Sequence, residues 1–236
     1  DQDLVLEIGA GLGHLTSFLA GYARQGIAVE LDKRLIPALE ETIQSLENDQ
    51  VNQGDILELN AGQLIGENDF LVVANIPYYI TSSIIRNLLE TVPKPDRIIL
   101  TIQYEVAQRI CARTGRLSLL ALSILMYGDP SLEMRVPSGA FFPVPKVDSA
   151  VININIHPEP LLPDDLRDKY FKLIKAGFLH KRKTLRNSLS KGLGCSPGQA
   201  AELLTSASID PQRRAETLSL EEWFEATRVY DKILQN

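Results

Sequence analysis

Short apolar runs alternate with amphipathic stretches from residue 4 to about residue 156. Runs such as Leu4–Ile8 and Phe70–Ala74 have the length of fully buried strands, and the stretches between the runs repeat apolar residues at helical spacing. This alternation is typical of an open α/β fold with a doubly wound, largely parallel sheet. The predicted strands are 4–8, 26–31, 51–53, 70–74, 97–102, 131–136 and 149–156, the last two as an antiparallel edge pair, and the predicted helices are about 14–23, 32–46, 79–90, 105–112 and 118–126.

The pattern becomes wholly helical after the Pro-rich stretch His157–Pro160. Candidate helices cover 165–176, 182–189, 196–206 and 220–234, and Ser196 and Ser219 stand where helices begin. We therefore expect two domains, 1–157 and 163–236, of which the second is small and all-α.

The composition narrows the class of protein. The chain has 236 residues, 44% of them hydrophobic, and a net charge of −6, as ordinary globular proteins do. No apolar run is long enough to cross a membrane, and Asp1–Asp3 does not begin a secretion signal. The two cysteines and three histidines are scattered, which predicts reduced thiols, no metal site and a cytoplasmic location.

The basic residues are unevenly distributed. An acidic chain has no bulk attraction to nucleic acid, so binding of that kind needs a local patch. Between Leu166 and Lys191 the only acidic residue is Asp168, against nine lysines and arginines. A charge run is usually a solvated face, but this segregation favours a contact with a phosphate backbone.

A glycine turn, Gly9–Gly13, joins the first predicted strand to its helix. Glycines let a ligand approach the backbone and the helix start offers free N–H groups, so this turn predicts a nucleotide-type cofactor site; a tight packing turn is the alternative. Glu30 follows about 20 residues later, at the position where a carboxylate takes ribose hydroxyls. The Gly-x-Gly-x-Gly spacing, without a phosphate-binding lysine, favours S-adenosylmethionine, with Leu31 packed on its adenine.

Two further strand ends carry polar groups. Asp55 offers a carboxylate to the cofactor's adenine amino group, with Ile56 against the ring, although taken singly a helix-capping aspartate is the simpler explanation. In Asn75-Ile76-Pro77-Tyr78, the Asn75 amide oxygen and the Ile76 carbonyl are two acceptors held beside a rigid proline and an aromatic ring. That set suits the amino group of an adenine, and a Pro-containing turn with the tyrosine in the core is the alternative.

The strand ends matter most as a series. The glycine turn, Glu30, Asp55 and Asn75 each follow successive predicted strands, and in a doubly wound parallel sheet such ends line up along one edge. Further on, Phe141 and Phe142 are followed by Pro143 and could stack a base, although filling the core is an equal alternative.

The motifs together resemble the ribosomal RNA small subunit adenine N6-dimethyltransferase family, which is linked to kasugamycin sensitivity and related to the macrolide-resistance rRNA adenine methyltransferases. The resemblance covers nearly the whole chain and rests on the following segments: Val5–Gly13, Val29–Asp32, Gly54–Ile56, Asn75–Tyr78, Gly115–Ser118, Phe141–Val151, Lys181–Asn187 and Arg214–Ser219.

The resemblance implies a Rossmann-like S-adenosylmethionine-dependent methyltransferase sheet with a small all-α C-terminal domain. It implies an enzyme that dimethylates two adjacent adenines near the 3′ end of small-subunit (16S) rRNA during ribosome biogenesis. The expected partner is that rRNA or the assembling small subunit, and the protein is expected to act as a monomer.

The resemblance also implies a set of site residues. The cofactor is expected to contact Glu7, Gly9, Ala10, Gly11, Gly13, Glu30, Leu31, Asp55, Ile56 and Asn75. The target adenine is expected to be held by Asn75, Ile76, Pro77 and Tyr78, with Phe141 on its other face. RNA contacts are expected from Lys181, Arg182, Lys183 and Arg186.

Alternatives remain open at this stage. They are a large-subunit rRNA or DNA adenine methyltransferase, a non-catalytic nucleic-acid-binding relative, and a nicotinamide-dependent oxidoreductase, the last disfavoured by the position of the third glycine. The family also carries a leader with a Gln-x-Phe-Leu-like segment before its first strand, whereas only three residues precede Leu4 here. Either the chain was trimmed or cofactor binding is weakened. The segment before Gly115 is also shorter than the family often shows.

Overall fold

The computed structural model describes residues 3–44, 49–59, 61–66, 69–113 and 115–235, and the side chains of Asp49, Tyr78 and Gln235 lie outside that description. The end of the helix predicted at 32–46 also lies outside the described residues. The chain divides into two compact units, the first formed by Asp1–Ala107 with Gly128–Pro158 and the second by Gln108–Tyr127 with Glu159–Asn236.

A seven-stranded sheet is the centre of the first unit as described. In chain order its strands are β1 (Leu4–Ile8), β2 (Gln25–Glu30), β3 (Asp49–Gln53), β4 (Phe70–Asn75), β5 (Arg97–Gln103), β6 (Gly128–Val136) and β7 (Ser149–Ile156). Their order across the sheet is β3-β2-β1-β4-β5-β7-β6. The first five strands are parallel, and β7 runs antiparallel to both β5 and β6. The order reverses between β1 and β4, as in doubly wound sheets, and the predicted antiparallel edge pair is confirmed.

A helix follows each of the five parallel strands along the chain. In the first unit they are α1 (His14–Ala20), α2 (Ile36–Ile43), α3 (Ala61–Ile65), α4 (Thr81–Glu90) and α5 (Tyr104–Ile110), of which the last continues into the second unit. The apolar side of α4 is buried at the spacing expected of an amphipathic helix, at Ile84, Ile85, Leu88 and Leu89. All five residues of β1 are buried, because this central strand is covered on both faces.

The regular secondary structure of the second unit is helical in its described residues. Its remaining helices are α6 (Leu119–Leu125), α7 (Asp164–Gly177), α8 (Leu185–Leu193), α9 (Pro197–Ser206) and α10 (Leu220–Gln235). The backbones of α7 and α8 approach closely, since a Cβ on Gly192 would lie 2.5 Å from the Cα of Ala176. Ser196 begins α9 with a capping box, in which its hydroxyl accepts from the Gln199 N–H and the Gln199 side chain accepts from the Ser196 N–H.

One segment differs from the predicted domain limits of 1–157 and 163–236. Residues 108–127 belong to the helical unit, where the Leu122 carbonyl accepts the buried Tyr170 hydroxyl at 3.0 Å and the Glu216 carbonyl accepts the Leu117 N–H at 3.1 Å. These bonds join residues far apart in sequence, which a local pattern does not reveal. Within the described ranges, no helix combines the length and apolar character that a bilayer crossing requires.

Candidate active site

The register of the sheet brings the predicted strand ends together. Ile8 pairs with Val29 on one side and with Ala74 on the other, so the next residues along these strands lie at the same level. Glu30 in turn pairs with Gln53, the residue before Gly54. The glycine turn, Glu30, Gly54-Asp55 and Asn75 therefore lie along one edge of the sheet, with the point of strand reversal between the glycine turn and Asn75.

The glycine turn has the backbone that its sequence requires. Gly9, Gly11 and Gly13 have φ values of +75°, +59° and +83°, which side-chain-bearing residues rarely adopt. A Cβ on Gly11 would meet no atom within 4 Å, so the space above it is open. A Cβ on Gly13 would lie 2.8 Å from the Thr42 Cγ2. Gly11 thus lies beside open space where a ligand can approach, and Gly13 allows close packing on α2.

Two neighbours of the turn are buried. Ala10 is 7% exposed and packs with Ala28, Leu39 and Ile43, and its N–H reaches the Val29 carbonyl at 3.3 Å. Glu7 on β1 is 3% exposed. Ala10 thus anchors the glycine turn on the core, and Glu7 is covered on the strand that leads into it.

Glu30 lies beside the turn, and both of its carboxylate oxygens are engaged. Its Oε2 accepts the Gly11 N–H and its Oε1 accepts the Asp32 N–H, each at 2.8 Å. The side chain is 8% exposed. The neighbouring Asp32 carboxylate accepts hydrogen bonds from the Arg34 side chain, which lower the pKa of Asp32 to about 2. Glu30 is thus held in one orientation beside the glycine turn.

The surfaces predicted to contact an adenine differ in exposure. Leu31 is 59% exposed, an unusual state for a leucine that follows a buried strand, whereas Ile56 is buried. Asp55 is half-buried, and its Oδ1 accepts the Leu57 N–H at 2.9 Å. The turn-capping alternative for Asp55 therefore holds for one of its two oxygens.

The Asn75-Ile76-Pro77-Tyr78 segment leaves the sheet at the point of strand reversal. Asn75 is the exposed last residue of β4, and its backbone oxygen lies 3.7 Å from where a Cβ on Gly9 would stand. The Ile76 side chain is 2% exposed, which anchors the segment, and Pro77 is exposed with φ −57°. Tyr78 begins a 3-10 turn before α4, and its side chain lies outside the described part of the chain.

Phe141 reaches the same edge from the antiparallel pair. The end of β6 at Val136 and the start of β7 at Ser149 are paired, and Ser149 also pairs with Gln103 at the end of β5. The loop 137–148 between β6 and β7 therefore opens at the edge that carries Asn75. Phe141 is half-buried in this loop, and Phe142 is fully exposed, so core filling does not explain Phe142.

Two charged residues at the ends of this loop, Arg135 and Asp148, stand in no local pattern that marked them as functional. Arg135 precedes it and Asp148 closes it, and the Arg135 Nε donates to the Asp148 Oδ2 at 2.9 Å. Opposite charges at the two ends of a hairpin loop are a signal of such a closure, but only the antiparallel pairing puts them in contact.

The basic residues of the second unit lie on a turn and the start of a helix. Lys181, Arg182 and Lys183 are exposed ahead of α8, and Arg186 is half-buried on it. The helix predicted at 182–189 is wrong at its start, because α8 begins at Leu185. The Lys183 N–H donates to the His180 carbonyl at 2.9 Å, which closes a turn instead.

The residues at the sheet edge fit S-adenosylmethionine. The open space above Gly11 admits an amino-acid tail, the oriented Glu30 carboxylate suits ribose hydroxyls, and the exposed Leu31 offers an apolar face. A bound phosphate would lie close to the Glu30 carboxylate, which is unfavourable for like charges. The geometry thus agrees with a cofactor that carries no phosphate.

Comparisons with known proteins agree with this geometry. A family model described as ribosomal RNA adenine dimethylase matches residues 1–232. The chain is 45% identical to a ribosomal RNA small subunit methyltransferase A of Dehalococcoides mccartyi, over 97% of this chain and 79% of that protein. The crystal structure of the 23S rRNA methyltransferase ErmE matches with a TM-score of 0.77 at 29% identity, over 98% of this chain and 91% of that one. A dimethyladenosine transferase from Plasmodium falciparum has the same fold, with a TM-score of 0.81 at 24% identity, over 98% and 90% of the two chains.

The fold and the strand-end site define a Rossmann-like, S-adenosylmethionine-dependent methyltransferase, and the predicted fold class is confirmed. The chain belongs to the ribosomal RNA adenine dimethylase family. It is an enzyme that dimethylates adenine in ribosomal RNA, with S-adenosylmethionine as the methyl donor.

Proposed function

We propose that the enzyme dimethylates two adjacent adenines near the 3′ end of small-subunit rRNA, as a step of ribosome biogenesis. The observation that carries the proposal is the position of Asn75, which is exposed at the strand reversal, directly beside Gly9. The partner is the rRNA or the assembling small subunit, bound by a monomer in the cytoplasm. Relatives named as small subunit methyltransferases, at 45% and 47% identity in Dehalococcoides mccartyi, support this substrate over the 23S rRNA of ErmE at 29%.

The cofactor site is formed by the residues of the sheet edge. Gly9 and Gly11 would hold the amino-acid tail. Glu30, which lies next to them along the edge, would hold the ribose hydroxyls. Leu31 and Ile56 would enclose the adenine, and the Asp55 oxygen that does not accept the Leu57 N–H would take its amino group. When bound, S-adenosylmethionine supplies an electrophilic methyl group.

Glu7, Ala10 and Gly13 would act on the cofactor indirectly. Glu7 precedes the glycine turn, Ala10 and Gly13 belong to it, and all three are buried, so their part is to fix the shape of the turn that binds the cofactor.

The chemistry of methyl transfer assigns a task to Asn75 and Ile76. The N6 lone pair of adenine is delocalised into the ring, so the amine is a poor nucleophile. Hydrogen bonds from the two N6 protons to the Asn75 amide oxygen and the Ile76 carbonyl would localise that lone pair and stabilise the positive charge that develops on nitrogen. The two acceptors would hold the amine while it takes the methyl group that S-adenosylmethionine would supply, and the proton that leaves N6 would pass to water. A second cofactor molecule would supply the second methyl group.

The reactive adenine has to leave its stack to reach this position. Pro77 stiffens the segment, and the rings of Tyr78 and Phe141 would replace the stacking that the base loses. Alignment of the amine with the methyl group then supplies much of the rate, without a metal or a strong base. In the second unit, Lys181, Arg182, Lys183 and Arg186 would contact the phosphate backbone.

A methyl-transfer assay with labelled cofactor tests the proposed substrate. Small-subunit rRNA, and small subunits from cells that lack the enzyme, are expected to accept about two methyl groups on each of two adjacent adenines, as mapped by mass spectrometry. Large-subunit rRNA serves as the competing substrate. Methylation of large-subunit rRNA alone would contradict the proposal and favour the ErmE-like reaction.

The variant Asn75→Ala tests the mechanism in the same assay. We expect a loss of turnover of about 10²- to 10³-fold, the scale of removing one preorganised transition-state contact, while calorimetry still detects cofactor binding. Asn155→Ala is the matched control, because Asn155 is also an exposed asparagine of the sheet but pairs with Arg97 at the opposite edge. Wild-type turnover by Asn75→Ala would refute the role of this amide.

A further inference from the structure

The loop 137–148, which carries Phe141, is closed by one carboxylate. The Asp148 Oδ1 accepts the Ser138 N–H at 2.9 Å, and its Oδ2 accepts the Arg135 Nε at 2.9 Å and Nη2 at 2.5 Å. The Asp148 carbonyl accepts the Tyr104 N–H at 3.0 Å. A single residue thus joins both ends of the loop and ties them to the end of β5.

The bonded path continues to the aromatic residue. Ser138 begins a 3-10 turn, and its carbonyl accepts the Phe141 N–H at 3.2 Å. Two hydrogen bonds, joined through the single residue Ser138, therefore connect the Asp148 carboxylate to the backbone of Phe141. This path fixes where Phe141 leaves the turn.

Apolar burial does not provide an equal restraint on the tip of the loop. Phe142 is 100% exposed and Val144 is 64% exposed, so the residues that follow Phe141 have few packing partners in this unit. Hydrogen bonds to a charged group are also stronger than neutral ones. The position of Phe141 consequently depends on the closure at Asp148.

The closure is also connected to the strand that pairs with β4. Tyr104 directly follows Gln103, the last residue of β5. Thr101, two residues before Gln103 on the same strand, pairs with Asn75. The Arg135 guanidinium lies over the Tyr104 ring, 4.6 Å from its centroid. The Ser138 N–H and the Arg135 guanidinium hold the pKa of Asp148 below its usual range.

We propose that Asp148, held by Arg135, is a positioning residue that fixes Phe141 opposite the Asn75 segment for the methyl-transfer step. The proposal rests on the proposed stacking role of Phe141 and extends it to two residues outside the proposed cofactor and adenine contacts. By this proposal, the charged residues at the two ends of the loop contribute to catalysis by fixing the position of Phe141.

The test is a double-mutant cycle between Asp148 and Phe141. We expect Asp148→Ala to lower kcat by about 10- to 100-fold, the scale of a misplaced positioning group, with cofactor affinity unchanged within about twofold. Asp148→Asn is the milder variant, used if Asp148→Ala does not fold, and is expected to lose less. In a Phe141→Ala background either change is expected to lower kcat by less than about twofold, because residues that act as a unit are not additive.

Asp129→Asn is the matched control. Asp129 lies on the same strand pair at the opposite edge of the sheet, where its carboxylate contacts the His157 Nε2 at 3.0 Å. We expect wild-type kcat for this variant. Hydrogen exchange of the Ser138 amide gives a second readout, with faster exchange expected in Asp148→Ala and unchanged exchange in Asp129→Asn.

Each outcome decides one question. Wild-type kcat in Asp148→Ala, or an equal loss in the Phe141→Ala background, overturns the positioning role. If Phe141→Ala alone keeps wild-type kcat while Asp148→Ala loses it, the proposed role of Phe141 fails and Asp148 acts by another route. All variants are compared on the rRNA that the wild-type enzyme methylates. If the proposed substrate is wrong, the wild-type enzyme already reveals it by methylating a different rRNA, and the comparison of variants still tests the positioning role.

Discussion

At the scale of single residues, Glu30 shows how a binding group is prepared before its ligand arrives. Both oxygens already accept backbone N–H groups, from Gly11 and from Asp32. The carboxylate consequently has little rotamer freedom left to lose when ribose hydroxyls bind, and less entropy opposes binding. The same bond to Gly11 also holds the glycine turn in its left-handed conformation.

The variant Glu30→Gln is expected to weaken S-adenosylmethionine binding by about 10- to 100-fold, the range that hydrogen bonds to a charged group cover. The amide keeps the size of the side chain but turns one acceptor into a donor, which faces an N–H of Gly11 or Asp32. Isothermal calorimetry measures the affinity. Asp32→Asn is the control, since that carboxylate is occupied by Arg34, and its affinity is expected to stay within about twofold. Equal affinities in the two variants would show that Glu30 does not contact the cofactor.

Some of the residues at this edge of the sheet can be predicted from local sequence patterns, and others cannot. The glycines, Glu30 and Asn75 were predicted correctly at strand ends because each is marked by a local pattern of strand, turn and helix. The role of Asp148 was not predicted, because its partners Arg135 and Tyr104 lie 13 and 44 positions away and contact it only through the pairing of the strands. Local patterns reveal turns, and only the pairing of strands reveals such contacts.

At the scale of elements, the crossing of α7 and α8 depends on small residues. A Cβ on Gly192 would lie 2.5 Å from both the Cα and the Cβ of Ala176, and the backbone cannot move aside as a long side chain can. Another close approach on α7 occurs at Gly177, where a Cβ would lie 2.4 Å from the Trp223 ring. The small residues Gly192 and Ala176 therefore let α7 and α8 pack with their backbones nearly in contact.

Gly192→Ala is expected to lower the free energy of unfolding by roughly 1–3 kcal/mol, the usual effect of overpacking, despite the better helix propensity of alanine. Chemical denaturation followed by circular dichroism measures the change. Gly198→Ala on α9 is the matched control, because a Cβ there meets only the Ser196 Oγ at 3.7 Å. That variant is expected to be neutral or up to ~1 kcal/mol more stable. A stabilised Gly192→Ala would show that the helices can separate freely.

The elements themselves were predicted better than their limits. Each predicted strand is present, but the helix expected at 182–189 begins at Leu185 and ends at Leu193. Its start is set from a distance, since the Leu185 and Arg186 N–H groups donate to the carbonyls of Arg213 and Pro211. The helix α3, Ala61–Ile65, was not predicted, because it is too short to show a periodic pattern of apolar residues.

At the scale of the whole molecule, charge is divided unevenly along the chain. The net charge is −6, yet the turn before α8 presents three adjacent exposed cations at Lys181–Lys183. Association with RNA through such a segment releases counterions, so the affinity depends on salt even though the protein as a whole is acidic.

Arg182→Gln is expected to weaken rRNA binding and to lower the slope of log K against log salt concentration by about 0.7–0.9, the effect of one phosphate contact. Filter binding or fluorescence anisotropy over a salt series measures the slope. Arg228→Gln removes the same charge from a residue that pairs with Glu225, and its slope is expected to stay unchanged. If both variants lose slope equally, net charge and not a local contact governs binding.

One consequence of the reversed direction of β7 concerns how the enzyme can change. The reversal turns the β6–β7 hairpin loop towards the sheet edge that carries Asn75, whereas the glycine turn and Glu30 belong to β1 and β2 on the other side of the strand reversal. A change in the length of the hairpin would therefore alter which nucleic acid fits and leave the glycine turn and Glu30 in place. Nucleic-acid selectivity and cofactor binding can thus be tuned separately within one sheet.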